Sequence, residues 1–213
     1  MARTGLVAGG SGLVGGELLR ELLGGPSWGR VTALVRRKLP LEDGKLEQLE
    51  VDFDRLPASL AADDVFCCLG TTIKTAGSQE AFARVDKEYP LAMARSARAG
   101  GARQFLIVTA HGAGASSRIF YNRVKGQVED ALRELGFPSL HIFRPSMLLG
   151  ERAERRAGER FGIAAMTAVG PLLPRSVRPI QARTVARAMI AAALRDETGV
   201  HIHESDRIAE DGA

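Results

Sequence analysis

The stretch "GLVAGGSGLVGGELLR", Gly5 to Arg20, constrains the fold more than any other part of the chain. A short apolar run at 4–8 passes through a cluster of glycines directly into a leucine-rich amphipathic stretch at 12–24. A buried strand that turns this tightly into a helix is the opening of a βαβ unit. Two glycine registers fit equally well. Gly9, Gly12 and Gly15 give G-x-x-G-x-x-G, and Gly10, Gly12 and Gly15 give G-x-G-x-x-G. In either register one glycine makes the turn, one lets a pyrophosphate approach the backbone, and one lets helix and strand pack closely. The free N–H groups and positive dipole end of a helix starting near Gly12 suit phosphate. The motif therefore points to dinucleotide binding.

The remaining rhythm agrees. Apolar runs near 31–35, 48–52, 64–69, 104–109 and 139–143 read as buried strands, and 79–100 and 117–136 read as amphipathic helices. Gly24-Gly25-Pro26, Gly100-Gly101 and Gly136-Phe137-Pro138 are stop signals. Strand and helix in alternation imply right-handed crossovers and a Rossmann-like, doubly wound parallel α/β sheet. The 24 glycines and few aromatics favour this over a β-sandwich. After Gly150 comes the charged "ERAERRAGERFG", then an apolar stretch, a helix at about 182–195 and a short strand in "GVHIH". The expectation is one domain over 1–213, with residues from about 150 onward forming a substrate-side cap.

Hydrophobic content of 45% and charged content of 25% mark a globular chain. A net charge of +4, spread along the sequence, gives no basic face for nucleic acid. There is no long apolar leader and no run near the roughly 18 residues of a membrane span. Cys67 and Cys68 are adjacent and form no disulfide framework, so buried thiols in a reducing cytoplasm are expected. His201 and His203 alternate without a third partner nearby, so no metal site is expected.

The second strand run ends in Arg36, Arg37 and Lys38. An NAD site usually has an acid there to accept a bond from the ribose 2′-hydroxyl. Guanidinium groups suit a 2′-phosphate instead, so the expected cofactor is NADP(H).

Tyr121 and Lys125, in "YNRVKG", share a helix face. Spacing alone does not distinguish a catalytic pair from a helix surface. With the glycine turn and basic cluster before it, the chain resembles the short-chain dehydrogenase/reductase superfamily. It resembles most its atypical Tat-interacting-protein-like branch, through "FCCLGTT" (66–72), "FARVDKEYPLAMARSARAGGARQF" (82–105), "YNRVKGQVE" (121–129) and "FRPSMLLGER" (143–152). The resemblance implies residue roles. Ser11, Gly12, Leu13 and Val14 would lie under the pyrophosphate. Arg36 and Arg37 would hold the 2′-phosphate, and Asp52 and Phe53 would flank the adenine. Leu69 and Gly70 would pass the ribose, and Pro145, Met147 and Leu148 would position the carboxamide. Lys125 would bond the nicotinamide ribose and lower the pKa of Tyr121, the proton donor at a small carbonyl or alcohol substrate. Arg152, Arg155 and Arg156 could reach a phosphate.

This chain departs from the superfamily after the fifth strand. There the usual Ser pair is replaced by Thr109-Ala110-His111. Thr109 is the expected hydroxyl donor to the substrate oxygen, with Ser116 and Ser117 expected to cap the following helix and His111 at the rim. The expected activity is a reductase or dehydrogenase, acting as monomer or homodimer. The alternative is a non-catalytic NADP(H) redox sensor that acts through a protein partner.

Overall fold

The computed structural model describes residues 2–149 and 174–213. The first apolar run becomes β1 (Arg3–Ala8), and the leucine-rich stretch becomes α1 (Leu13–Gly24). β2 (Trp28–Val35), β3 (Leu46–Glu50), β4 (Asp64–Cys67), β5 (Gln104–Val108) and β6 (Ser139–Arg144) follow the other runs. Two short strands, β7 (Leu148–Leu149) and β8 (Ile180–Gln181), pair with each other and with no other strand among the described residues. The last strand, β9 (Gly199–Glu204), joins the main sheet. That sheet is parallel throughout, in the order β3-β2-β1-β4-β5-β6-β9.

Helices cover both faces, which is why β4 and β5 are buried at every position. On one face Val7, Val31, Leu106 and Phe143 meet Leu18 and Leu22 of α1 and Met189 of α6 (Ala182–Arg195). On the other, Leu6, Val65, Phe105 and Ile142 meet Leu91 of α4 (Tyr89–Ala99) and Val128 and Leu132 of α5 (Phe120–Arg133). The two-residue alternation along each strand divides the core in this way.

The long helix expected over 79–100 is broken into pieces. After the single turn of α2 (Ile73–Ala76) come α3 (Gln79–Ala83), a π-helical turn at Arg84–Glu88, and α4. Pro90 accounts for the wide turn. Its ring crowds the carbonyl four residues back and it offers no N–H. The Tyr89 N–H instead reaches the Arg84 carbonyl, five residues back. Asp86 sits inside this turn, with its side chain buried.

The described residues of the C-terminal part, from 174 on, join the main sheet and its core. α6 packs against α1, and β9 extends the sheet beside β6, with Ser139 opposite Gly199 and Arg144 opposite Glu204. A helix α7 (Ser205–Asp211) follows, with Ile208 buried in the same core. Residues 150–173 lie outside the described residues, so the expected placing of Arg152, Arg155 and Arg156 is not addressed.

The strand order reverses direction between β1 and β4. In open α/β sheets the crevice beyond the carboxyl ends of the strands at such a point is where ligands bind. Ala8 is paired with Leu34 of β2 and with Cys67 of β4, so the three strands reach this edge together. Across the sheet, the loop after β5 rests on α5 at Gly126, where a Cβ would overlap the backbone of Gly114 and Ala115. Gly126→Ala should therefore cost about 1–3 kcal/mol as an overpacked contact, read by urea denaturation.

Candidate active site

At the carboxyl edge of β1 the glycine registers become distinguishable. Gly9 has φ of +86°, a conformation that favours glycine. A Cβ there would overlap the Cys68 carbonyl, and a Cβ on Gly15 would overlap the Gly9 carbonyl. The Gly12 N–H donates to the Gly9 carbonyl at 2.9 Å. Gly9 makes the turn and Gly15 the close packing, so G-x-x-G-x-x-G describes the geometry. Gly12 caps α1 without a side-chain bond, and the first turn carries no acid. Its N-terminus is thus open to an anion. Ser11 and Gly12 are exposed, Leu13 is half-buried, and Val14 is buried, leaving Val14 only its backbone to offer a ligand.

Arg36 and Arg37 emerge just beyond the end of β2, exposed and with no ion-pair partner among the described residues. Asp52 is exposed beyond the end of β3. Phe53 is different: its ring is buried and stacks on Tyr89 at 5.4 Å between centroids. Any contact it makes with an adenine must come from its backbone. The glycine turn lies directly against the residues that follow β4, because a Cβ on Gly9 would also come within 2.8 Å of the Leu69 nitrogen. Gly70, the next residue, faces Asp86 and Lys125, whose Oδ1 and Nζ would stand 3.5 and 3.8 Å from a Cβ there. Pro145 is buried and its carbonyl accepts the His111 N–H at 2.9 Å. Met147 is exposed, Leu148 is half-buried, and the Met147 carbonyl accepts the Ile180 N–H.

Tyr121 and Lys125 occupy the first two turns of α5. Lys125 is buried, with Nζ 2.7 Å from Asp86 Oδ1. The other Asp86 oxygen accepts the Thr71 N–H at 2.9 Å. Burial alone would lower the Lys125 pKa, but the Asp86 carboxylate, with Tyr121 close by, holds it above the ordinary lysine value. Burial pushes the Asp86 carboxyl up against the pull of Lys125. The Tyr121 ring packs on Phe82 at 5.3 Å, and its hydroxyl makes no hydrogen bond among the described residues.

Thr109 does not fit its expected role. Its hydroxyl donates to Glu129 Oε1 at 2.7 Å and also approaches the Phe143 carbonyl, so its one hydrogen is turned inward. Glu129 in turn holds Arg144 through bonds of 3.1 and 2.5 Å, and Arg144 reaches Glu204 Oε1 at 3.0 Å. Ser116 and Ser117 do not cap α5 as expected: its N-cap is Ile119, with no side-chain cap bond, and Ser117 Oγ accepts the Ile119 N–H in a local turn just ahead of the helix.

Asp86 and the Glu129–Arg144–Glu204 network were missed by sequence reasoning. Periodicity held a signal for both. Asp86 follows buried Phe82 by four residues, and Lys125 and Glu129 fall on the same face as Val124, Val128 and Leu132. A charge on an apolar helix face requires a partner. His203 also has a partner that local spacing conceals. Its Nε2 lies 3.0 Å from His141 Nδ1 across the β6–β9 pair. Burial first, then the neighbouring imidazoles, lowers His141 to about 3, so the two rings share a hydrogen bond as neutral groups.

No family model matches the chain. It is 43% identical over 160 residues to Protein HTATIP2 of Rattus norvegicus, an overlap of 72% of this chain and 66% of that protein. It is 35% identical over 213 residues to the mitochondrial protein FMP52 of Eremothecium gossypii, covering 95% of this chain and 94% of that one. Among solved structures, MoeE5 in complex with UDP-glucose and NAD superposes with a TM-score of 0.71 at 17% identity, over 93% of this chain and 74% of that one. These relatives correct one expectation. FMP52 proteins of several fungi are named mitochondrial, which points away from a cytoplasmic location. Cys67 is buried and its thiol pushed up to about 12 by that burial. Such a thiol stays reduced because it is inaccessible, so it never identified a compartment. No helix among the described residues is long and apolar enough to cross a membrane.

Proposed function

Since this chain belongs to the Tat-interacting-protein-like branch of the short-chain dehydrogenase/reductases, we propose that it is an NADP(H)-dependent oxidoreductase of a small carbonyl or alcohol. The observation that carries this reading is the Tyr121 hydroxyl, without a hydrogen-bond partner among the described residues and one helical turn from a buried Lys125. A tyrosine kept for packing would gain nothing from such a neighbour.

The dinucleotide fits the residues present. The turn has no room for a Cβ at Gly9 or Gly15, and the first turn of α1 carries no acid. When bound, the nicotinamide supplies or accepts the hydride. Arg36 and Arg37 hold the 2′-phosphate. Gly70 puts no side chain against the Lys125 ammonium, which Asp86 holds in position for the ribose. Tyr121 moves the proton at the substrate oxygen. A second reading, a redox sensor that binds NADP(H) without turnover, is favoured by one observation. The Lys125 ammonium is already paired inside the protein, with Asp86 at 2.7 Å.

Calorimetric titration tests the cofactor assignment. NADPH should bind more tightly than NADH. Replacing both Arg36 and Arg37 with Ala should cost NADPH about 1.5–3 kcal/mol per lost charge-assisted bond and leave NADH nearly unchanged. Equal affinities in the parent would refute NADP(H).

A further inference from the structure

With Thr109 turned inward and Ala110 lacking a hydroxyl, the loop after β5 reaches the rim with His111 as its next polar group. Its backbone is anchored by the bond to the Pro145 carbonyl. The following residue, Gly112 (φ +75°), lies against the Asn122 amide, 3.1 Å from where its Cβ would be. Asn122 adjoins Tyr121 in α5, so the loop holds His111 at the tyrosine end of that helix. The imidazole is 43% exposed, and its Nδ1 is 3.5 Å from Glu204 Oε2.

Glu204 is held from behind. Arg144 bonds both Glu129 and Glu204 Oε1, and Arg133 lies 3.9 Å from Glu129. The other Glu204 oxygen is left to face the His111 ring. With Nδ1 turned to Glu204, Nε2 is the ring nitrogen left to meet a substrate oxygen.

We propose that His111, oriented by Glu204, hydrogen-bonds the substrate oxygen in place of the missing hydroxyl. This rests on the oxidoreductase reading above. In the reducing direction hydride reaches the carbonyl carbon from NADPH, and the C=O electron pair moves onto oxygen. Tyr121 gives that oxygen its proton and is reprotonated from solvent. His111 keeps its own proton and stabilises the developing charge. Glu204 is a positioning residue.

The test uses NADPH with 4-nitrobenzaldehyde as the probe. His111→Ala should lower kcat by about 10²–10³-fold, the usual loss for one oxyanion donor, with NADPH affinity unchanged. His111→Gln, which keeps a donor, should retain more activity than His111→Ala. Glu204→Gln should slow the parent yet add little in the His111→Ala background, a coupling that a purely structural role would not produce. The chain has four histidines, so the imidazole carbon resonance of His111 can be assigned by its loss in His111→Ala. It should shift when 4-nitrobenzyl alcohol is added to the NADP⁺ complex. A His111→Ala rate within threefold of the parent, or an unmoved resonance, overturns the assignment. If Tyr121→Phe is inactive in that same assay, the oxidoreductase reading stands without it. If the parent consumes no NADPH, both fall.

Discussion

Tyr121→Phe should lower turnover of 4-nitrobenzaldehyde by about 10²–10⁴-fold while leaving folding and NADPH affinity near those of the parent. The contrast with Tyr89 explains why. These are the two tyrosines of the chain. The Tyr89 hydroxyl donates to Asp54 at 3.2 Å, so its removal would break an internal bond. The Tyr121 hydroxyl makes no such bond among the described residues, while its ring rests on Phe82. Phenylalanine keeps the ring contact and loses only the group that meets substrate. Steady-state NADPH consumption, urea denaturation and calorimetry separate the three quantities. A variant that turns over at the parent rate would remove Tyr121 from the chemistry.

The second large effect concerns stability. Asp86→Ala should cost about 3–5 kcal/mol in urea denaturation, because it strands the Lys125 ammonium in the interior. Lys125→Met should cost a similar amount by stranding Asp86, although the Thr71 N–H still meets one of its oxygens. The double variant Asp86→Asn/Lys125→Met removes both charges and should recover most of the loss. Such recovery identifies an unpaired charge, rather than disturbed packing, as the cause. A loss below about 1 kcal/mol for Asp86→Ala would mean that the pair is solvated and is not what holds Lys125.

The sheet was legible because parallel strands buried on both faces must be short continuous apolar runs, as in "DVFC" and "QFLIV". "GVHIH" was legible as a strand, but nothing in those residues says which neighbour it pairs with. It was placed in the region after 150 and pairs with β6. The glycine turn was legible as a motif and ambiguous as a register, since only the backbone shows that Gly9 carries the positive φ. Tyr121 and Lys125 could be found because they are local to one helix. Asp86 lies 39 residues before its partner and in a π turn, where the 3.6-residue period no longer tells which way a side chain points. Thr109 shows the same limit. Its position at the end of a strand was correctly read, but the direction of its hydroxyl depends on Glu129, on another element. The basic cluster at Arg36-Arg37 was legible because an absent acid is as visible in a sequence as a present one.

Hydride transfer separates an oxidoreductase from a protein that only binds the dinucleotide. It is tested most directly by incubating the protein with NADPH deuterated on the transferred face of C4 and with 4-nitrobenzaldehyde, then weighing the alcohol by mass spectrometry. The parent protein should give alcohol with one deuterium on the carbinol carbon, and Tyr121→Phe about 10²–10⁴-fold less of it in the same time. Tight NADPH binding without any labelled alcohol would contradict it and leave the sensor reading in its place.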